Sequence, residues 1–204
     1  MVSPSPSVNV LILAGGQSRR MGQDKALIPW QGISLLERCS RVALAIGDRC
    51  DIVTPWPDRY QSALPADLTD RLHWCPDPIP GAGPPRAIAR LLTMPPSTQF
   101  QWTLVLACDM PNLSIPTLLT WRSHLNTLSP AILGYIPRPS NRWEPLCGFY
   151  RPTAGPSLQT YLDQGGRSLQ HWLSATPIAT IPTTPADLPL FHNCNTPQDI
   201  LSAP

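Results

Sequence analysis

Two short apolar runs limit what this chain can become more than any other feature of its sequence. VNVLIL occupies 8–13, and WTLVLACD at 102–109 is interrupted only at Thr103 before it reaches Asp109. A half-solvated strand alternates apolar and polar residues, whereas runs such as these suit strands buried on both faces. Helix signals lie between them. SLLERCSRVALAI at 34–46 places Leu35, Leu36, Cys39, Val42, Ala43 and Ile46 on one helical face, with Ser34 able to cap it. PPRAIARLL at 84–92 opens on prolines and continues with helix formers, as a helix N-terminus does. DIVT at 51–54 and LHWC at 72–75 are short strand candidates. Strand, helix, strand, helix, strand in succession predicts a three-layer α/β/α, Rossmann-like domain with a mostly parallel sheet.

Beyond Asp109 the pattern continues more weakly. SIPTLLTWRSHL (114–125), SLQTYLDQ (157–164) and SLQHWL (168–173) read as helices. AILGYI (131–136), PLCGFY (145–150) and PIATI (177–181) read as strands, and TPQDIL (196–201) as a last helical turn. No internal repeat or long linker divides the 204 residues, so a single domain over 1–204 is expected, with 1–8 (MVSPSPSV) a flexible tail. The 27 prolines are spread along the chain and mark loops.

Charge and cysteine usage exclude several classes of protein. A net charge of +2 with 14% charged residues gives no basis for a nucleic-acid surface, which needs clustered Lys and Arg. The six cysteines show no C-x-x-C spacing and read as buried small hydrophobes in a reducing compartment. The N-terminus has no cationic region, and the apolar run at 10–14 is too short for a signal peptide or a membrane span. A cytoplasmic protein is expected.

The chemistry gathers where the first strand ends. LILAGGQSRRMGQDK, from Leu11 to Lys25, passes from an apolar run into paired glycines and then into Arg19, Arg20 and Lys25. Ligands of open parallel sheets bind outside the carboxyl ends of the strands. Gly15 and Gly16 let backbone N–H groups approach an anion, and the cations beyond supply charge. A Walker A loop would need Ser or Thr after Lys25, where Ala26 stands, and the adjacent glycines break the G-x-G-x-x-G spacing. The bland alternative is a Gly turn followed by a solvated basic loop. Asp109, at the end of the clearest buried strand, is a metal-ligand candidate or the cap of a helix after Pro111. Asp77 lies in a Pro-rich turn, and Asn193, Asn195 and Thr196 precede Pro197, where turn and cap roles compete with ligand binding. Trp56 and Trp143 adjoin loop signals.

LAGGQSRRMGQDKAL resembles the signature L-A-G-G-x-S-x-R-M-G-x-D-K of the molybdenum cofactor guanylyltransferases, which have the nucleotide-diphospho-sugar transferase-like fold. Gly16 and Asp24 distinguish it from the L-A-A-G loops, with Pro before Lys, of cytidylyltransferase relatives. CPDP with Asp77, LACDMP with Asp109, EPLCGFYR and FHNCNTPQDI resemble further family segments in the family's order. The resemblance implies transfer of GMP from GTP to the terminal phosphate of molybdopterin (with or without molybdenum), with release of pyrophosphate. It implies nucleotide binding by Leu13, Ala14, Gly15, Gly16, Lys25, Asp77 and Asp109, catalysis by Lys25, Arg19 and Asp109, and Mg2+ on Asp109. Arg86, Asn193 and Asn195 are acceptor-binding candidates. Molybdopterin-inserting proteins and apo-molybdoenzymes are the implied partners, with neither nucleic acid nor membrane among them. Two departures fall near the expected pocket: GPPRAI at 83–88 replaces G-P-L-A-G-[LI], and Thr54 stands where the second strand often ends near Asn. A cytidylyltransferase or sugar-phosphate nucleotidyltransferase would share the loop and Asp109, and a non-catalytic pterin carrier would bind acceptor without releasing pyrophosphate.

Overall fold

Residues 5–16, 24–77, 81–196 and 199 are described by a computed structural model of the protein. Its strands are β1 (Val8–Leu13), β2 (Pro29–Trp30), β3 (Ile33–Ser34), β4 (Arg49–Thr54), β5 (His73–Pro76), β6 (Trp102–Ala107), β7 (Gly134–Pro137), β8 (Cys147–Tyr150) and β9 (Ile178–Ile181). Its α-helices are α1 (Leu35–Ile46), α2 (Pro57–Ala63), α3 (Ala66–Thr69), α4 (Pro84–Leu92), α5 (Ile115–Ser123), α6 (Ala154–Asp163) and α7 (Leu169–Ala175).

Seven strands form one sheet in the order β5-β4-β1-β6-β8-β7-β9. β1 pairs in parallel with β4 and β6, setting Leu11 beside Asp51 on one side and Val105 on the other. β4 and β5 are parallel, as are β7 and β9, whereas β8 runs antiparallel to both β6 and β7. The carboxyl ends of β1, β4, β5, β6 and β7 therefore share one edge of the sheet.

Both faces of this sheet are covered, which is the physical reason for the unbroken apolar runs. Val8, Val10 and Ile12 pack with Leu36, Ala43 and Ile46 of α1 and Leu118 and Trp121 of α5. Leu11 faces the other way, toward Ala87 and Leu91 of α4, while Val105 packs with Ile88, Leu158 and Leu173 from α4, α6 and α7. The three-layer α/β/α reading holds. α1 starts where the capping signal lies, with Ser34 Oγ accepting from Glu37 N at 3.1 Å. Five of the six cysteines are buried, Cys75 is half-buried, and all are free thiols. Among the described residues no helix is long and apolar enough to cross a membrane.

Several boundaries differ from the sequence reading. The tail expected over 1–8 is shorter, because Pro6 is buried and Val8 already belongs to β1. Ser7 N donates to Gln101 Oε1 and the Ser7 carbonyl accepts from Trp102 N, both at 3.1 Å, which ties the segment beside β6. The expected strand at 131–136 begins only at Gly134, since Ile132 N bonds back to Ser129 O in a turn. α5 stops at Ser123 and α6 starts at Ala154, before the predicted residue. The hairpin of β2 and β3 went unread. Its turn residues Gln31 and Gly32 both have positive φ, the geometry that a two-residue hairpin requires. The short helices α2 and α3 were missed too, although Pro57 in the first turn of α2 was a usable signal. Most of the last predicted turn, 196–201, lies outside the described residues.

Candidate active site

The strand order makes the site. From β1 the sheet extends to β4 in one direction and to β6 in the other, so the loops leaving β1 and β6 diverge at a topological switch point. A cleft of ≈ 630 Å³ opens there, lined by Leu13, Ala14, Gly15, Gly16, Lys25, Asp77, Asp109 and Asn195 among others. That volume suits a small-molecule ligand or cofactor.

One wall is formed by the ends of β1, β4 and β5. Ala14 N donates to Val53 O at 2.9 Å, extending the sheet's pairing past the strand end and leaving the two glycines to carry the loop into the cleft. A Cβ on Gly15 would lie 3.3 Å from Asp77 Oδ2 and 3.3 Å from Pro55 Cδ, so glycine is what admits the carboxylate at this spot. Asp77 is held in turn by its own N–H, which donates to Thr54 O at 3.2 Å. The departure at Thr54 is structural. Its side chain is buried and its Oγ1 accepts from Trp56 N at 3.1 Å, closing the turn after β4.

The opposite wall carries the charge. Lys25 begins a 3-10 turn, Lys25–Leu27, and its Nζ reaches across to Asp109 Oδ2 at 2.5 Å and Asn195 Oδ1 at 2.9 Å. Asp109 does not cap the following helix, because Ser114 does so by accepting from Thr117 N. Instead its carbonyl accepts from Cys194 N at 2.9 Å, which draws the segment after the last strand back to the cleft. Asp199 tightens that segment by accepting from the N–H groups of Asn195 and Thr196 at 2.7 Å each, and these bonds hold its carboxyl below the ordinary range. Asp109 Oδ1 is buried and has no hydrogen-bond partner among the described residues. No three His, Cys, Asp or Glu side chains converge as a cage among those residues. One carboxylate with an unmatched buried oxygen fits a hard divalent cation that takes its other ligands from phosphates and water. Cys108, next to Asp109, is no nucleophile at neutral pH, because burial first and the Asp109 charge second push its thiol up to about 12.

Other expected residues fall elsewhere. Arg19 and Arg20 lie outside the described residues. Arg86 is exposed in the first turn of α4, while Gly83, Pro84 and Ala87 around it line the cleft. Arg86 itself is not among the lining residues. Asn193 donates from Nδ2 to Phe191 O at 3.2 Å, a local turn contact. Trp143 packs in the core, with Nε1 donating to Ser174 Oγ at 3.1 Å and the Arg138 guanidinium 4.7 Å from its ring centroid. Trp56 carries Arg59 at 5.2 Å from its ring centroid. Asp24 and Tyr60, which also line the cleft, were not among the predicted site residues. The adjacency of Asp24 to Lys25 was visible in the sequence; nothing marked Tyr60.

The profile of the MobA-like NTP transferase domain matches residues 10–178. The chain belongs to this family. Among MobA-like relatives, one from Synechococcus elongatus named a probable molybdenum cofactor guanylyltransferase is 43% identical over 189 residues, covering 93% of this chain and 94% of that one. The molybdenum cofactor guanylyltransferase of Pseudomonas aeruginosa is 30% identical, covering 96% and 94% of the two chains. The fold matches that of the molybdopterin-guanine dinucleotide biosynthesis protein A of Archaeoglobus fulgidus, with a TM-score of 0.72 at 24% identity over 96% of each chain. As a MobA-like NTP transferase, this protein is a nucleotidyltransferase, of a type that generally uses a divalent metal ion.

Proposed function

We propose that the chain acts as a single nucleotidyltransferase domain that transfers GMP from GTP to the terminal phosphate of molybdopterin, yielding the guanine dinucleotide cofactor and pyrophosphate. The observation that carries this reading is the Lys25–Asp109 pair, 2.5 Å apart and beside the paired glycines at the switch point. The guanylyltransferase names of the relatives supply the base and the acceptor.

The chemistry asks little of a general base. The acceptor phosphate is already anionic at neutral pH, so its oxygen can attack the α-phosphorus directly, forming one P–O bond while the bond to the β-phosphate oxygen breaks. What the site must do is position two polyanions and offset their charge. Gly15 and Gly16 admit the phosphates close to the backbone. Lys25, with Arg19 six positions before it in the sequence, would hold the triphosphate and steady the departing pyrophosphate. Asp77 is an acceptor-only carboxylate that matches the adjacent N1–H and N2 amino donors of guanine, whereas cytosine would face it with a lone pair at N3. Asn195, which accepts from Lys25 on the opposite wall, would meet the acceptor. Asp109 would hold Mg2+, which neutralises phosphate oxygens when bound.

Pyrophosphate release with molybdopterin, Mg2+ and either GTP or CTP tests the reading. GTP should exceed CTP in kcat/KM by at least about a hundredfold, because a site built to hydrogen-bond one base leaves its buried polar groups unpaired with another. Comparable use of CTP would favour the cytidylyl alternative. Binding of molybdopterin with no pyrophosphate released from either nucleotide would favour a carrier.

A further inference from the structure

Lys25 sits on a single 3-10 turn, which by itself holds a long flexible side chain poorly, yet its amino group must meet Asp109 and Asn195. The residue before it supplies the anchor. Asp24 collects three donors on its carboxylate: Ala26 N at 3.2 Å on Oδ1, Arg59 Nη1 at 2.9 Å on Oδ2, and Tyr60 OH at 3.0 and 3.1 Å on the two oxygens. These donors are unequal. Arg59 is 52% exposed, and an ion pair in that setting contributes little. Tyr60, although it borders the cleft, is only 1% exposed, so its hydroxyl has little access to water and its bond to a charged acceptor is the stronger restraint. Burial first, and the Asp24 carboxylate second, push the phenol well above its ordinary range, so the hydroxyl remains a donor at working pH.

Tyr60 also belongs to a distant part of the chain. α2 follows the turn at Pro55, the residue that flanks Gly15 together with Asp77. One short helix thus borders the wall that carries Asp77 and braces the wall that carries Lys25.

We propose that Tyr60 is a positioning residue that acts through Asp24 to fix the turn carrying Lys25, and so sets how tightly the site holds the triphosphate of its nucleotide. The hydroxyl is needed for this, since phenylalanine would fill the same core volume. This deepens the proposed function and rests on Lys25 as a triphosphate ligand.

The test measures binding of GTP with Mg2+, inorganic tripolyphosphate and guanosine to the unmodified protein, Tyr60→Phe, Lys25→Ala and the double variant. Tyr60→Phe should raise the Kd for GTP and for tripolyphosphate by about tenfold, the result of a small misplacement of a charged ligand group, and leave guanosine unchanged. In the Lys25→Ala background the same substitution should change GTP binding by less than about twofold, because residues acting through one another are not additive. Asp24→Asn keeps the volume and an acceptor for Ala26 N but offers Tyr60 one oxygen instead of two. It should show the same dependence on Lys25, and it serves if Tyr60→Phe fails to fold. An equal loss for guanosine and GTP, or effects that multiply in the double variant, would overturn the proposal and leave the role of Lys25 standing. Unchanged GTP and tripolyphosphate binding in Lys25→Ala would remove that role and the proposal with it.

Discussion

At Gly15 a hydrogen in place of a methyl group decides where the Asp77 carboxylate can rest. A Cβ there would stand 3.3 Å from both Asp77 Oδ2 and Pro55 Cδ, tighter than ordinary contact, and the proline ring cannot swing aside as a flexible side chain would. Gly15→Ala should therefore displace Asp77 and shrink the preference for GTP over CTP, with the folding midpoint nearly unchanged; steady-state kinetics with both nucleotides would show it. The Lys25–Asp109 pair belongs to a different category. Its side chains are 14% and 19% exposed, so their attraction is screened less than that of a surface pair. Asp109→Asn retains the shape but removes the charge that opposes Lys25 and would hold the metal. Turnover should fall by roughly two to three orders of magnitude, the usual scale for losing one oriented electrostatic group. Mn2+ binding followed by electron paramagnetic resonance should weaken in parallel.

Among the elements, the segment from Cys194 to Thr196 is the least conventional, because one backbone bond and a few side-chain bonds, rather than a helix or a strand, hold it at the cleft. Cys194 N donates to the Asp109 carbonyl, and Asn195 meets Lys25. Asp199 accepts from the backbone N–H groups of Asn195 and Thr196. These donors favour the ionised carboxyl and depress its folded pKa. A depressed pKa stabilises the folded turn above the unfolded pKa, about 4 for a carboxyl, and that contribution disappears as pH falls through the lower folded value. Hydrogen exchange at the Cys194 amide should thus accelerate as the pH is lowered below about 4, after correction for intrinsic exchange. Asp199→Asn should exchange faster at neutral pH and lose that dependence. α1 shows the opposite case, a helix whose start was written locally. Ser34 capped it as the sequence indicated, because the cap bond spans only the three residues to Glu37.

On the scale of the whole molecule, the far layer supports the cleft through α4. Gly155 of α6 lies so close to this helix that a Cβ would come within 2.8 Å of Thr93 Cγ2 and 3.1 Å of the Ala89 carbonyl. Backbone cannot yield as a side-chain end can. Gly155→Ala should cost about 1–3 kcal/mol, read from urea denaturation, as overpacking usually does. Because α4 also carries Pro84 and Ala87 to the cleft, the same variant should weaken nucleotide binding without touching the nucleotide. Equal stability with unaltered binding would show that the two helices can separate freely.

Periodicity alone carried the layered α/β architecture, because a strand buried on both faces must be apolar at consecutive positions and each of the long helices must present one apolar face. The glycine pair, Lys25 and Asp109 were candidates for a similar reason: they lie at strand ends or in turns, where local sequence shows a conformation or a charge that packing does not explain, whereas Asp77, in a Pro-rich turn, was a candidate only through the family resemblance, and all of them line one cleft. What the sequence left open were relations between segments far apart along the chain. Asn195 and Lys25 are separated by 170 positions, Tyr60 and Asp24 by 36, and no pattern in either segment marks the other. Arg86 was a candidate by neighbourhood and Asn193 by the family resemblance; neither is among the residues lining the cleft, and Asn193 bonds locally to Phe191. Thr54 could be read as a lost ligand until the turn it closes was seen. Composition and spacing determine which groups are available at each strand end; only the strand order, with β1 between β4 and β6, decides which of those groups meet across one cleft.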